Sequence, residues 1–386
     1  MNSNFNPIIS RDARIQDIST KLDYLVQKGA RSSTYQQVAA SSQSVSSINF
    51  AVNTPSEETV IDREVTISAT ISATILIPAA VAGVGGVANG VLAFNYGETE
   101  SLSQFPLNSL FTNATSTINT SAVSVPVQEI MSVLLRTTED ETLSKYNAPH
   151  MSDKRFKNYS DMVLSASNPL KSFRDAKGKV IPRGSHPINI RIRRYAAGDN
   201  VVSNDENQDS ASDLMLAALT STGTNNRWVI DLVFKTTEPL LYLSPFIFGE
   251  NVNNCAGFNG IKNISLVFNI DSTAKRMFCS ATSTIMTISL TNISEAKLNL
   301  NYLTVQASDL ISSINVLPHT QYDRNTSVHD TDVAVNGSAT ITSQSISMHQ
   351  IPNRIYIVAR RQLSAQTMKD SNTFLPISNI NVTFNN

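Results

Sequence analysis

Residues 65–78 read VTISATISATILIP, and no other stretch of the chain limits its fold as tightly. Val65, Ile67, Ala69, Ile71, Ala73, Ile75 and Ile77 hold the odd positions; Thr66, Ser68, Thr70, Ser72 and Thr74 hold the even ones. A period of two puts the apolar set on one face of a β-strand and the hydroxyl set on the other. Leu76 breaks the alternation, Pro78 ends it, and no charged residue occurs from Val65 to Gly97. At ~3.3 Å per residue the run covers roughly 43 Å, enough to cross a whole sandwich face. The odd row is expected to face a core between two sheets, with Ala69 and Ala73 leaving room for bulkier side chains opposite. Open solvent draws Lys or Glu onto a strand face, so the neutral row of Thr66, Ser68, Thr70 and Ser72 is read as covered. Its cover is a neighbouring subunit or an insertion of the same chain. On that reading, Thr66→Lys with Thr70→Lys spares folding and harms association.

The uncharged run exceeds the ~20 residues a membrane helix needs. Hydroxyls at every second position, then Pro78 and Gly83, Gly85, Gly86 and Gly90, make it a poor span, because broken backbone hydrogen bonds are costly in hydrocarbon. No membrane span is expected; an apolar loop at AAVAGVGGVANGVLAF touching a membrane stays open. A solenoid would need the ISAT unit to recur outside residues 67–75, and it does not.

The rest of the chain extends the strand grammar. SINFAV, TVIDREVTISATISATILIP, VLAFNY, PINIRIRRY, WVIDLVF, LLYLSPFIF, GIKNISLVFNI, STIMTISL, KLNLNYLTVQ, ATITSQSISMHQI, NRIYIVARRQL and ISNINVTF carry β-branched and aromatic residues between turn formers. ATSTINTSAVSV predicts a hairpin around Asn119. PVQEIMSVLLR predicts a helix, with Pro126 near its first turn and Val127, Ile130, Val133 and Leu134 on one face. TEDETLSKY is a candidate second short helix. Residues 10–30 predict an amphipathic helix through Ile15, Ile18, Leu22 and Leu25, capped by Ser10 and Gly29. A Ser-rich linker follows, so residues 1–46 read as an N-terminal arm packing on a neighbouring subunit or on its own domain. Deleting them is expected to leave the sandwich folded. Residues 47–386 form the main domain, and 137–227 is its candidate insertion or protruding region. Many short strands, a few short helices and long loops describe an all-β sandwich or barrel.

Composition agrees with this and narrows function. Hydrophobic residues make up 41% and charged residues 16% of the 386, the signature of a globular chain. The formal net charge of −1 offers no overall attraction to nucleic acid or acidic lipid. Cys255 and Cys279 are too few for a disulfide framework and read as buried thiols. The N-terminus lacks the pattern of a secretory signal.

No catalytic constellation is visible. His150, His186, His319, His329 and His349 stand at no metal-ligand spacing. Asp330-Thr331-Asp332 offers two carboxylates, which a solvated loop explains equally well. AGVGGVANG matches no phosphate-loop spacing and lacks a following Lys. No enzyme activity, metal or cofactor is expected. Arg191 and Arg193, opposite the isoleucines of PINIRIRRY, with Arg194 beside them, are a candidate nucleic-acid-facing patch. A solvated face beside acidic neighbours is the plainer reading. Arg360-Arg361 is read as the charged end of a strand.

Several segments together resemble jelly-roll capsid proteins of eukaryotic icosahedral viruses, nearest to the penton-type proteins of virophages and Polinton-like viruses. They are TVIDREVTISATI, SQFPLNSLFTNATSTINTSAVSV, MSDKRFKNYSDMVLSASNPLKSF, TEPLLYLSPFIFG with GFNGIKNISLVFNI, and IPNRIYIVARRQ with NTFLPISNINVTFNN. The resemblance implies an antiparallel jelly-roll sandwich that self-assembles into a shell, as a penton-type or single-jelly-roll subunit. It implies a virion protein assembled inside the host cell. Its partners would be copies of itself in a pentamer or shell, other capsid proteins and a host receptor, with weak or no direct genome contact. The competing reading is a receptor- or glycan-binding β-sandwich, such as an adhesin or fibre module. That reading needs exposed aromatics to stack on sugars, and only Trp228 and scattered tyrosines are available.

Overall fold

A computed structural model of the chain describes residues 32–56, 59–77, 91–94, 100–103, 105–137, 189–195, 227–240, 259–280, 286–304, 321–329, 337–348, 351–368 and 374–383. It also describes shorter pieces at 8–9, 25–26, 173–174, 180–181, 206–208, 217–220, 242–243, 246, 257, 333–334 and 370–371. In chain order the strands begin with β1 (Ile8–Ile9), β2 (Leu25–Val26), β3 (Ser32–Ala39), β4 (Ser42–Gln43), β5 (Ser47–Asn53), β6 (Val60–Ile61), β7 (Thr66–Ile77), β8 (Val91–Phe94) and β9 (Glu100–Leu102). Helix α1 (Pro106–Leu110), strands β10 (Phe111–Ile118) and β11 (Ser121–Val125), and helix α2 (Val127–Thr137) follow. Next come β12 (Phe173–Arg174), β13 (Val180–Ile181), β14 (Asn189–Tyr195), β15 (Glu206–Gln208) and β16 (Ala217–Thr220). The series closes with β17 (Arg227–Pro239), β18 (Asn263–Ile270), β19 (Phe278–Ser280) and β20 (Thr287–Thr304).

Two antiparallel sheets share one buried cluster. The five-stranded sheet runs β11-β10-β18-β5-β4, and the seven-stranded sheet runs β15-β14-β17-β7-β20-β3, with β6 also on β20. On β7 the expected face is the buried one: Val65, just before the strand, and Ile67, Ala69, Ile71, Ala73 and Ile75 within it are at most 1% exposed. Ala73 sits in register between Leu232 of β17 and Leu290 of β20, so small and large side chains alternate across the sheet. The opposite sheet contributes Ile48, Phe50 and Val52 from β5, and Ile264, Leu266 and Phe268 from β18. Phe268 stacks on Phe111 at 4.6 Å between ring centroids and meets Phe50 edge-on at 6.2 Å.

Local chemistry explains several boundaries. Asn119 takes φ 53°, a left-handed conformation that Asn tolerates, and turns β10 into β11. Its side chain accepts from Lys262 N–H at 2.8 Å and donates to Gly260 C=O at 3.0 Å, pinning the hairpin to the start of β18. Helix α2 begins directly after Pro126 and buries Val127, Met131 and Val133. STIMTISL and KLNLNYLTVQ, expected as separate strands, belong mostly to the single 18-residue strand β20. Its register against β7 shifts between Leu290 and Asn292 and again between Ser294 and Lys297, where Glu295 has φ 53°. Each bulge resets which residues face inward, so Ile288 and Leu290, then Ile293, then Ala296, Leu298 and Leu300 all reach the core.

Other expectations are overturned. No N-terminal helix is seen among the described residues: Leu25 lies in β2, paired with Ile9 of β1, while Ile15, Ile18 and Leu22 lie outside them. The Ser-rich stretch expected as a linker is strand instead. Residues Ser32–Ala39 pair along β20, so deleting 1–46 removes an edge of the larger sheet. Hydroxyl side chains suit a half-exposed edge as well as a tether, which is why composition alone misread them. LLYLSPFIF forms no strand at its described residues. Tyr242, Leu243 and Phe246 are buried in a turn closed by Phe246 N–H to Leu243 C=O. The strands expected at 339–351, 353–363 and 377–384 are absent among the described residues, where one isolated bridge joins Ala359 to Leu375. Their β-branched residues find no partner strand in the described chain, and strand propensity without a partner makes no ladder. TEDETLSKY, residues 138–146, and Cys255 lie outside the described residues.

Phe268→Ala is expected to cost about 3–5 kcal/mol of unfolding free energy, since it empties the space between Phe50 and Phe111. Urea unfolding followed by circular dichroism measures that loss.

Candidate functional site

The residues singled out on β7 lie on the outer face of the larger sheet. Ser68 is 6% exposed and Thr66, Thr70 and Ser72 are half-buried, within this one chain. The hydroxyls of Thr66, Ser68 and Thr70 already have local partners. Gln37 Nε2 donates to Asn299 Oδ1 at 3.0 Å and Asn299 Nδ2 donates to Thr66 Oγ1 at 3.0 Å, a ladder across β3, β20 and β7. Thr70 Oγ1 donates to Glu295 at 3.3 Å and Thr74 Oγ1 to Asp231 at 3.0 Å. The row is therefore neutral because its neighbours carry the charge. Lys235 and Glu295 meet at 3.7 Å across it, both well exposed, a pair that contributes little to stability. The expected cover is thus supplied in part by the flanking side chains of β17 and β20. Thr66 is also a poor site for a lysine, because the ladder ends on its hydroxyl.

The arginine patch falls on β14. Register sets Arg191 opposite Asp231, Arg193 opposite Val229 and Arg194 opposite Trp228. An acidic neighbour thus lies across from Arg191, on the strand next to the hydroxyl row. Ile15, Ile18 and Leu22 lie outside the described residues, as do Asp330, Thr331 and Asp332.

Two polar clusters were not legible in the sequence. The first is closed inside the core. Phe105 takes φ 52° before the single turn of α1, leaving N–H groups at its start. Glu238, 2% exposed at the end of β17, accepts them: Leu107 N–H at 2.7 Å and Asn108 N–H at 2.8 Å. Asn108 Nδ2 and Thr236 Oγ1 each add a bond at 2.9 Å, and Tyr242 O–H donates to Asn108 Oδ1. Burial pushes the Glu238 carboxyl from 4.5 up to about 7, further than these four donors pull it back. Asn108 and Tyr242 are fully buried around this carboxyl, and its bonds to Leu107 and Asn108 N–H cap the turn.

The second cluster docks the C-terminal segment. Glu129 on α2 pairs through one oxygen with Arg324 and through the other with Arg360 at 3.3 Å. Arg360 also donates to Gln128 C=O at 3.5 Å. Burial lowers the Arg360 pKa, and Arg324 beside it lowers it further. Nearby, Arg361 pairs with the buried carboxylate of Asp370 at 2.7 Å, Met368 enters the core, and Ser280 N–H donates to Met368 C=O at 3.3 Å. Arg360 and Arg361 are thus clamps and not the blunted end of a strand. Most described residues from Gln321 to Thr383 are otherwise exposed, with Ile341 at 50% and Ile351 at 84%.

Among the described residues no group of His, Cys, Asp and Glu could hold a metal ion, and no helix is long and apolar enough to cross a membrane.

Two measurements check these clusters. A carboxyl whose folded pKa exceeds its unfolded one stabilises the fold fully below about pH 4.5, and that stability is lost as pH rises through about 7. Wild type is therefore expected to lose roughly 3 kcal/mol relative to Glu238→Gln between pH 4.5 and 8, read from paired urea titrations. Glu129→Gln leaves Arg360 without its partner and is expected to weaken docking by about 3 kcal/mol. Hydrogen exchange should then rise across 359–371 and stay unchanged in β7.

Comparison with known proteins gives these surfaces a setting. Residues 3–315 match the family model described as the Sputnik virophage major capsid protein 1st domain, and residues 322–386 match the major capsid protein V20 C-terminal domain. The chain is 24% identical over 413 residues to the putative capsid protein V20 of Sputnik virophage, an alignment covering 99% of this chain and 60% of that relative. It therefore spans about 60% of the length of the curated relative it matches. Among solved structures, the cryo-EM structure of the Sputnik virophage is similar at 18% identity, with a TM-score of 0.46 over 78% of this chain and 53% of that one. The crystal structure of the mavirus major capsid protein is similar at 12% identity, with a TM-score of 0.42 over 78% of this chain and 52% of that one. With a match over residues 3–315, this chain belongs to the Sputnik virophage major capsid protein family.

Proposed function

We propose that this chain is a structural subunit of an icosahedral virion shell, acting in the major capsid role and associating with copies of itself. The match of residues 3–315 to a first-domain model carries the reading, and it favours the major capsid role over a penton. The strand order supports a jelly roll. Taking β3, β5, β7, β10, β11, β17, β18 and β20 as eight successive strands, one sheet orders them first-eighth-third-sixth and the other second-seventh-fourth-fifth. That alternation between sheets is the jelly-roll pattern of two nested Greek keys. β12 to β16 lie between the fifth and sixth of these strands, which supports 137–227 as a protruding insertion. Residues 1–31 are the remaining candidate arm.

A shell subunit works through surfaces, and this one offers the outer face of the larger sheet. The hydroxyl row on β7 is neutral and half-covered, so a flat partner surface displaces little bound charge there. Genome contact is weak on this reading, because net charge is −1 and Arg191 lies opposite Asp231. Packaged nucleic acid is neutralised by other proteins or counterions.

Thr70→Lys with Ser72→Lys is the test, as it avoids the ladder that ends on Thr66. The double variant should keep its thermal midpoint within about 2 °C, since a lysine stem can lie along a half-buried face with its ammonium in water. It should also lose the rings or shells expected of the unmodified chain in size-exclusion chromatography and negative-stain microscopy. Assembly that survives the change means the row faces solvent in the particle.

A further inference from the structure

β3 closes one side of the seven-stranded sheet, and its outer edge is open among the described residues. Its register with β20 runs unbroken from Ser32↔Thr304 to Ala39↔Lys297 and continues into the bond from Ala40 N–H to Ala296 C=O, 2.9 Å. Backbone groups alternate in direction along an antiparallel strand. The N–H groups of Thr34, Gln36 and Val38 therefore point to β20, and those of Ser33, Tyr35 and Gln37 point off the sheet. Such an edge is a template for another strand, and proteins usually blunt it with Lys, Pro, a bulge or a covering segment. Among the described residues β3 carries no such device, and no charged residue occurs from Ser32 to Ser56. The other outer strands offer less: β15 has 3 residues and begins with Glu206, β11 has 5 and β4 has 2.

A segment with the composition of a strand but no partner lies in the same chain. From Ser338 to Met348 the described residues form no strand pair and no backbone hydrogen bond, and they expose Ile341, Ile346 and Met348. No charged residue occurs from Val333 to Met348, so this ribbon matches the neutrality of β3. Beside β3 a groove of about 480 Å³ opens toward β5, lined by Thr34, Gln36, Val38, Val52, Pro55 and Tyr302. Its mixed hydroxyl, amide and apolar lining suits side chains of the ribbon's composition.

We propose that the ribbon Ser338–Met348 of one copy adds as an extra strand to the β3 edge of a second copy, with alternate side chains laid into the groove. The contact rests on the self-association proposed above and names where it occurs. Main-chain hydrogen bonds supply the attraction and the absence of charge removes the usual barrier to edge pairing. Each copy presents one ribbon and one edge, so the contact is heterologous and passes from copy to copy.

The full chain, with the photo-cross-linker p-benzoylphenylalanine in place of Ile341, tests it in a mixture of isotope-labelled and unlabelled copies. The expected product joins position 341 of one copy to the peptide containing Ser32–Ala40 of another. Tyr35→Pro removes an outward N–H while sparing the bonds to β20, and should abolish that product. Tyr35→Ala keeps the N–H and should retain it. Circular dichroism of both variants checks that the sheet is intact. Cross-links to another surface, links only within one copy, or a product insensitive to Tyr35→Pro overturn this contact and leave the capsid reading standing. An unmodified chain that stays monomeric at high concentration overturns both.

Discussion

The larger sheet depends on the 12-residue strand β7, which is paired along both edges, to β17 on one side and β20 on the other. A central strand buried on one face must be apolar at every second position, and it must be long if the strands beside it are long. Val65 to Ile75 meet both demands. Their side chains reach Phe50, Phe268 and the rest of the opposing sheet through one cluster, so the two sheets are held by a single core. A one-residue slip of β7 would carry that whole row to the outer face and the hydroxyls inward, which the hydroxyls could not survive without partners.

Around this core, buried polar groups act as fasteners for segments that the sheets do not hold. Glu238 caps the single turn of α1 and ties residues 105–110 to the end of β17. Glu129 receives two arginines from the C-terminal segment, and Asp370 takes a third. A buried carboxylate is tolerated only where donors surround it; Glu238 and Glu129 draw theirs mostly from segments distant in sequence, while Asp370 takes Arg361 and Thr367 close by. The difference between the two is exposure. Glu238 is sealed and strengthens the fold, while the Glu129 clamp sits where the two family-matched regions meet, with Arg324 about half exposed.

The outer surfaces show how a neutral protein of this family can keep sticky features without a charged patch. The hydroxyls of Thr66, Thr70 and Thr74 are satisfied sideways by Asn299, Glu295 and Asp231, leaving a neutral row between charged flanks. The β3 edge and the 338–348 ribbon keep backbone groups unpaired among the described residues. Association through such features relies on shape and main-chain hydrogen bonds, with little long-range steering.

Period-two patterning was enough to read β7, β5, β10, β11, β14, β17 and β18 from sequence, because strict alternation is what a strand buried on one face alone requires. It failed where alternation is broken or unsupported. The two bulges of β20 disguised one strand as two, the hydroxyl-rich β3 passed for a tether, and TSQSISM passed for a strand although no described strand pairs with it. The hydroxyl face of β7 was visible as a row, but the partners of its hydroxyls lie on strands more than 150 residues away in sequence. The clamps at Glu238 and Glu129 left no local signal, since their donors come from separate segments. What the sequence alone determined is which faces are apolar, because that depends only on neighbours along the strand. Which polar groups meet, which edges stay open and which apolar residues remain uncovered were decided by the tertiary structure, because each depends on segments that only folding brings together.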